Sequence, residues 1–187
     1  FAPILALFLT TVLAYLVRYL VSDRRRRMIQ NAFGRYLAPS VVEALSESPD
    51  QLRLGGTLGD VTVMFADLSG FTALSTRTSP EELVTLTNEY LAIIADEVDA
   101  SNGYVDKFIG DAVMAIWGAP IKSDQHAMEA SRAALRIVDE IAKAGEAAKA
   151  RGAHSFGIKI GIQSGPAIVG NVGSARRYNY TAVGETV

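Results

Sequence analysis

The chain is predicted to fold as an α+β sandwich, in which helices cover one face of a mostly antiparallel sheet. Three observations predict it. A β-branched run ends at Asp67, two long segments repeat apolar residues every three or four positions, and short apolar runs separated by glycine lie between and after those segments. In chain order the segments are strand, helix, hairpin, helix and strand, the order of ferredoxin-like folds. The expected core is therefore βαββαβ.

The N-terminal segment 1–22 is predicted to be part of a membrane-spanning helix. It has no charged residue from Phe1 to Val17, and a bilayer core needs about 20 apolar residues of helix. The arginine run Arg24–Arg27 follows, as expected on the cytoplasmic side of a span. We therefore expect the protein at the inner or cell membrane, with its remaining part in the cytoplasm. A buried core helix is the alternative.

Residues 23–55 are predicted to be a helical connector. Pro39 interrupts its apolar pattern and predicts two short helices, because proline disfavours helix in the residue before it. The segment 46–59 is richer in Ser, Pro, Asp and Gly, which indicates a loop or edge strand at the start of the globular domain. That domain is assigned to residues 56–187.

The domain is predicted to begin with a buried strand over Val61–Asp67 and a helix after it. Ser79 is the expected N-cap, Pro80 the first helical residue and Glu82 the end of a capping box. Asn102 and the following glycine are expected to end the helix. Its predicted apolar face consists of Leu83, Leu86, Tyr90, Ile94 and Val98.

The segment Tyr104–Trp117 is predicted to be a hairpin that turns at Gly110 and Asp111, because glycine relieves the positive φ that such turns demand. A second helix is expected over about Ser123–Arg151. Its predicted apolar face consists of Met128, Ala134, Leu135, Val138 and Ile141. The strands expected after it are Phe156–Gly165, Ala167–Val172 and Tyr178–Val183.

The composition excludes several kinds of partner and site. The chain has 18 Lys and Arg against 20 Asp and Glu, for a net charge of −2. It lacks the basic excess of a nucleic-acid binder, so no nucleic-acid partner is expected. It has no cysteine, and His126 and His154 are far apart, so a zinc site is not expected either. Neither histidine is assigned a role.

Two aspartates lie where predicted strands end or turn. Asp67 ends the first strand, and Asp111 lies in the hairpin turn. If those strands are neighbours, the two carboxylates meet at one edge of the sheet, where they suit Mg²⁺ held together with substrate phosphates. Turn formation and loop capping are the alternative roles for these aspartates. By spacing alone, Lys107 is a solvated hairpin lysine and Thr181 a β-branched strand residue.

A candidate phosphate-binding loop follows the first strand. It consists of Leu68, Ser69, Gly70, Phe71 and Thr72. The segment leads toward a helix and offers backbone N–H groups, with a glycine that permits close approach.

Four sequence blocks occur in order over about residues 56–187. They read V-T-V-M-F-A-D-L-S-G-F-T, Y-V-D-K-F-I-G-D-A-V-M-A-I-W-G, G-I-Q-S-G-P-A-I-V-G-N-V-G and Y-T-A-V-G-E-T-V. Together they resemble the class III adenylyl cyclase catalytic domain. The connector also resembles the linker of bacterial membrane-anchored cyclases that carry a CHASE-type sensor before their last membrane span.

The resemblance implies a role for each candidate residue. Asp67 and Asp111 match the two aspartates that bind two Mg²⁺ (or Mn²⁺) ions. Lys107 matches the lysine that reads the purine and Thr181 its partner position, and this pair favours ATP over GTP. The residues assigned to substrate binding are Lys107, Thr181, Leu68, Ser69, Gly70, Phe71, Thr72 and Gly110.

The resemblance also implies a reaction and an assembly. An adenylate cyclase converts ATP to 3′,5′-cyclic AMP and pyrophosphate and works as a head-to-tail homodimer, in which an Asn and an Arg from one chain complete the site of the other. The Asn would follow Val187, so the chain is interpreted as truncated, and residues 56–187 alone are expected to turn over little ATP. A guanylate cyclase and a non-catalytic nucleotide-binding or dimerisation module are the alternatives.

Overall fold

Strands and helices alternate through the part of the chain that the structure describes. The computed structural model of the chain describes residues 54–174 and 177–187. The strands are β1 (Gly55–Ser69), β2 (Tyr104–Ile109), β3 (Ala112–Trp117), β4 (Gly157–Ser174) and β5 (Arg177–Val183), and the helices are α1 (Phe71–Ser75), α2 (Pro80–Asp99) and α3 (His126–Ala150).

The predicted membrane helix, residues 1–22, lies outside the described residues, as do residues 23–53 of the predicted connector. Within the described ranges, no helix combines the length and apolarity that a membrane span requires.

The five strands form one antiparallel sheet in the order β2-β3-β1-β4-β5. Strand β1 lies at its centre, and both crossover helices, α2 and α3, pack on one face. The first four strands and these helices reproduce the predicted βαββαβ order, to which β5 is added at one edge. The predicted fold class is therefore confirmed for the described part of the chain.

Helix α2 follows its sequence signals closely. The Ser79 hydroxyl accepts a hydrogen bond from the Glu82 N–H at 3.2 Å, and Pro80 opens the helix. The predicted face points inward, with Tyr90 and Ile94 buried against the sheet. Local capping and a single wide apolar stripe are therefore enough to predict this helix.

Helix α3 corrects the predicted apolar face. Its buried positions recur every three or four residues, but most carry alanine, as at Ala130 and Ala133. The larger Met128, Leu135 and Val138 are exposed, Leu135 by 70%. Small side chains let a helix approach its neighbours closely, so the face that contacts the sheet and α2 is the alanine face with Ile137 and Ile141.

Strand β4 is one continuous strand, where the sequence predicted two. Its first half pairs with residues 61–69 of β1, and its second half pairs with residues 55–60 of β1. The predicted strands were separated at Pro166, and β1 was predicted to begin six residues later than it does. The long partner strand keeps β4 extended past Pro166.

The sheet curls so that β5 crosses the face opposite the helices. The outermost strands β2 and β5 are in direct contact through Lys107 and Thr181. A second apolar cluster lies beneath this crossing and contains residues of all five strands. Its buried members are Val61, Val63, Tyr104, Met114, Ile116, Ala167, Val169 and Ala182.

Glycines permit the close approach of β1 and β4 where the sheet curls. A Cβ atom on Gly56 would lie 2.6 Å from the Val169 carbonyl oxygen. A Cβ atom on Gly170 would overlap the backbone of Gly55 and Gly56. The neighbours are main-chain atoms and cannot rotate away, so this crossing requires residues without side chains.

We predict that Gly170→Ala lowers the free energy of unfolding by about 1–3 kcal/mol, because the added methyl overpacks the crossing. Chemical denaturation of the protein measures this. The matched control is Gly161→Ala in the same strand, where an added Cβ meets nothing within 4 Å. Equal stability of the two variants would contradict this explanation of the crossing.

Candidate active site

The pairing of β1 with β3 brings Asp67 and Asp111 to the same edge of the sheet. In this register Asp67 lies opposite Ala112, the residue directly after Asp111. The Leu68 N–H donates to the Asp111 carbonyl oxygen at 3.3 Å. The two strands are neighbours, as the sequence analysis required, so the two carboxylate-bearing residues meet. Their role as metal ligands stays a prediction.

The surroundings of the two carboxylates suit a cation from solvent. Asp67 is exposed and Asp111 half-buried, and neither forms a salt bridge within the described ranges. Across those same residues, no cluster of three or more His, Cys, Asp or Glu side chains could hold a metal by itself. Mg²⁺ commonly takes only one or two protein carboxylates and completes its shell with phosphate and water oxygens. The donor set therefore fits a metal that arrives with a phosphorylated substrate.

The candidate phosphate loop turns sharply at Gly70, whose φ of 93° favours glycine. Helix α1 begins at the next residue, and no side chain caps it. The Leu68 N–H is bonded to the Asp111 carbonyl oxygen and its side chain is buried in the core, so the assignment of Leu68 to substrate binding stays a prediction that these two groups do not support. The Phe71 ring also packs inward, 6.0 Å from the ring of Phe156. Backbone N–H groups after Gly70 remain the candidate donors.

Lys107 and Thr181 are brought together across the curled sheet. The Lys107 Nζ donates to the Thr181 Oγ1 at 3.1 Å. Thr181 is buried, and the Lys107 side chain is 37% exposed. Seventy-four positions separate the two residues in sequence. Only the return of β5 across the face makes them neighbours.

Asp106 belongs to this site, and the sequence analysis missed it. Its side chain is only 1% exposed, and its Oδ2 lies 3.0 Å from the Lys107 Nζ. The Thr181 hydroxyl donates to the same oxygen at 2.5 Å. The register of β2 shifts between Val105 and Lys107, and such a bulge re-aims a side chain. The available sequence signal was the succession of two charged residues, Asp106 and Lys107, in a short strand. In a regular strand they would point to opposite faces of the sheet, so one of them would face the core.

His126 also has a structural role that the sequence analysis did not assign. Its Nδ1 lies 2.7 Å from the Thr62 Oγ1, which in turn lies 2.7 Å from the Ser164 Oγ. These contacts connect the start of α3 with the neighbouring strands β1 and β4. The polar group of buried Thr62 is thereby satisfied at the centre of the sheet.

Tyr104 lies beneath the Lys107 and Thr181 pair, buried in the second apolar cluster. Its hydroxyl is buried without a hydrogen-bond partner among the residues that the structure describes. Burial raises the pKa of Tyr104 well above its usual value, and the nearby Asp106 and Tyr180 add to the shift. The phenol therefore stays neutral in the folded protein.

The raised pKa of Tyr104 predicts that the folded protein loses stability at alkaline pH. Above pH 10, the ordinary pKa of the phenol, Tyr104 would ionise in the unfolded chain while remaining protonated in the folded one. The unfolded state then binds fewer protons, so the free energy of unfolding falls as pH rises. Denaturation at stepped pH should give a shallower fall above pH 10 for Tyr104→Phe than for the wild type. An identical slope would refute the assignment.

Comparison with known proteins identifies the fold as that of a nucleotidyl cyclase catalytic domain. The crystal structure of the adenylyl cyclase CyaB from P. aeruginosa aligns with a TM-score of 0.67 and 31% identity, covering 71% of this chain and 69% of that one. The guanylyl cyclase Cya2 aligns with a TM-score of 0.66 and 31% identity, over 71% and 68% of the two chains.

Sequence comparison gives the family. Residues 56–187 match the adenylate and guanylate cyclase catalytic domain, and the chain belongs to this family. Adenylate cyclase 1 of Rhizobium meliloti (strain 1021) is 40% identical over 128 residues, which is 68% of this chain and 19% of the relative's length. Class III cyclases use divalent metals, generally Mg²⁺ or Mn²⁺, and their catalytic domains bind nucleotide and act as dimers.

Proposed function

We propose that this chain carries the catalytic region of an adenylate cyclase, which converts ATP to 3′,5′-cyclic AMP and pyrophosphate. The observation that carries the proposal is the contact of Lys107 with Thr181, at 3.1 Å, in a domain of the cyclase family. Similar proteins include both adenylyl and guanylyl cyclases, so the preference for ATP is inferred from the residues that would meet the base.

The chemistry of the pair favours adenine. A lysine amine can only donate, and it suits the unprotonated ring nitrogen of adenine. A threonine hydroxyl can accept, and it suits the exocyclic amine of adenine, where guanine carries a carbonyl oxygen. Lys107 is partly exposed and Thr181 adjoins it, so both groups can meet one base edge.

Asp67 and Asp111 are the residues that would hold the divalent cations. Bound Mg²⁺ or Mn²⁺ would help to ionise the ribose 3′ hydroxyl and would neutralise charge on the leaving pyrophosphate. In the proposed reaction the 3′ oxygen attacks the α-phosphorus, and the bond to the bridging oxygen of the β-phosphate breaks. Backbone N–H groups after Gly70 would orient the phosphates close to the two carboxylates.

The active form is proposed to be a head-to-tail homodimer. Three large apolar side chains are exposed close to the two aspartates in sequence. Phe65 lies two residues before Asp67 on the same strand face, and Phe108 and Ile109, exposed by 54% and 50%, precede the hairpin turn. Apolar side chains grouped at a functional edge are typical of a surface that a partner covers. A second copy of the domain would cover them.

The metal assignment predicts that Asp67→Asn and Asp111→Asn each reduce cyclic AMP formation by the full-length protein by about 100-fold or more, a loss of the size expected when transition-state charge stabilisation is removed. Activity is measured across Mg²⁺ and Mn²⁺ concentrations. Asp124→Asn, on an exposed turn, is the matched control and should retain activity. Unchanged metal-dependent activity in either site variant would remove that residue from the site.

The base assignment predicts that Lys107→Glu shifts the full-length enzyme from ATP toward GTP, because glutamate accepts the ring N–H that guanine presents. The ratio of kcat/KM for the two nucleotides is the measurement. Lys149→Glu, on the exposed surface of α3, makes the same charge change elsewhere. If both variants keep the wild-type ratio, Lys107 does not read the base, and guanylate cyclase activity becomes an open alternative.

A further inference from the structure

Asp106 is a buried carboxylate at the centre of the candidate base-reading group. Its Oδ2 meets both the Lys107 Nζ, at 3.0 Å, and the Thr181 Oγ1, at 2.5 Å. The Lys107 Nζ is also 3.1 Å from the Thr181 Oγ1. The three polar atoms therefore form a closed triangle, in which every atom is within hydrogen-bond distance of the other two.

The proton of the Thr181 hydroxyl has only one place in this triangle. A lysine ammonium cannot accept a hydrogen bond, so Lys107 must donate to a lone pair of the hydroxyl. An ionised carboxylate cannot donate, so the hydroxyl must give its single proton to Asp106. The Thr181 hydroxyl then has no proton left for a ligand. It retains one lone pair and can only accept.

We propose that Asp106 is a specificity-determining positioning residue, which fixes the Thr181 hydroxyl as a hydrogen-bond acceptor and thereby selects a nucleotide base that presents an exocyclic amine. A threonine without this partner could rotate its proton toward a base carbonyl and accommodate guanine. The inference rests on the proposed function, since it assumes that Lys107 and Thr181 meet the base. It adds a reason why threonine at this position discriminates.

The burial of Asp106 supports a role beyond folding. A carboxylate at 1% exposure loses most of its hydration, and its Oδ1 is buried without a hydrogen-bond partner in the described part of the chain. Such a group costs stability, and apolar residues in place of a buried ion pair are often neutral or stabilising. The bulge in β2 that turns Asp106 inward likewise interrupts the strand pairing. Neither feature is needed to build an edge strand.

A purely structural role makes a different prediction. If Asp106 only ties β5 to β2, its loss loosens the site and lowers catalysis with ATP and GTP by the same factor. If it sets the direction of the Thr181 proton, its loss changes the ratio between the two nucleotides. The ratio therefore separates the two roles.

The test compares Asp106→Asn, Thr181→Val and the double variant in the full-length protein, by steady-state kinetics with ATP and with GTP. Asparagine keeps the volume of Asp106 but can donate from its amide, which frees the threonine proton. We expect the ATP:GTP ratio of kcat/KM to fall roughly tenfold in each single variant, about the effect of one hydrogen bond, and chiefly through a higher KM for ATP. The double variant should fall no further, because both changes remove one interaction. Asp139→Asn, on the exposed face of α3, should keep the wild-type ratio.

The outcomes separate this inference from the proposed function. A wild type that forms no cyclic nucleotide from either substrate would refute both. Suppose instead that the wild type prefers ATP. The role of Asp106 alone would then be refuted if Asp106→Asn keeps the wild-type ratio or loses activity equally with both nucleotides. Additive effects in the double variant would also refute it. Melting temperatures check folding. If Asp106→Asn does not fold, the test uses Thr181→Val, because this variant leaves the pair of Asp106 and Lys107 in place. An ATP preference retained in Thr181→Val would overturn the inference.

Discussion

The pairing of strand β1 on both of its sides is the constraint on which the rest of the site depends. Along one side, β3 holds Asp111 next to Asp67. Along the other, all fifteen residues of β1 pair with β4, which leads into the strand that carries Thr181. A slip of one residue in either register would turn the side chains of β1 to the opposite face. The two halves of the site are therefore positioned by one strand.

The two faces of the sheet have different roles: the helix-covered face contains the larger apolar core, and the opposite face carries the candidate site. The face under α2 and α3 carries the larger apolar cluster, to which both helices contribute. Among residues 54–174 and 177–187, the other face is covered where β5 crosses it, while Phe65 and Asp67 are exposed. In the proposed function, this open face of the helix-backed sheet is the one that meets substrate and a partner subunit. Tyr104 and Asp106 are buried under the crossing. Tyr104 belongs to the second apolar cluster, and Asp106 contacts the candidate base-reading residues Lys107 and Thr181.

Local signals predicted much of the fold from the sequence. Ser79 and Glu82 marked the start of α2, and Gly110 marked the hairpin turn, because caps and turns depend on a few adjacent residues. The face of α3 was predicted in part: Ala134 and Ile141 are buried, but Met128, Leu135 and Val138 are exposed, and the contact is made mainly by alanines that permit close packing. The continuity of β4 was missed because it depends on β1, a partner about a hundred residues away.

The sequence predicted the parts of the candidate site that lie on strands expected to be neighbours, and it did not predict contacts between distant strands. Asp67 and Asp111 could be expected to meet, since the hairpin had to lie beside the first strand. The contact of Lys107 with Thr181 came only from the family resemblance, because it joins the two outermost strands of a curled sheet. Asp106 was missed, since a bulge defines the direction of its side chain and the only sequence signal, two consecutive charged residues in a short strand, does not give that direction.

The most direct test of this account is a crystal structure of the full-length protein with Mn²⁺ and a non-cyclisable ATP analogue. The account predicts anomalous density for manganese between Asp67 and Asp111, with the adenine edge against Lys107 and Thr181. Manganese bound elsewhere, or a base that does not meet Lys107 and Thr181, would contradict it.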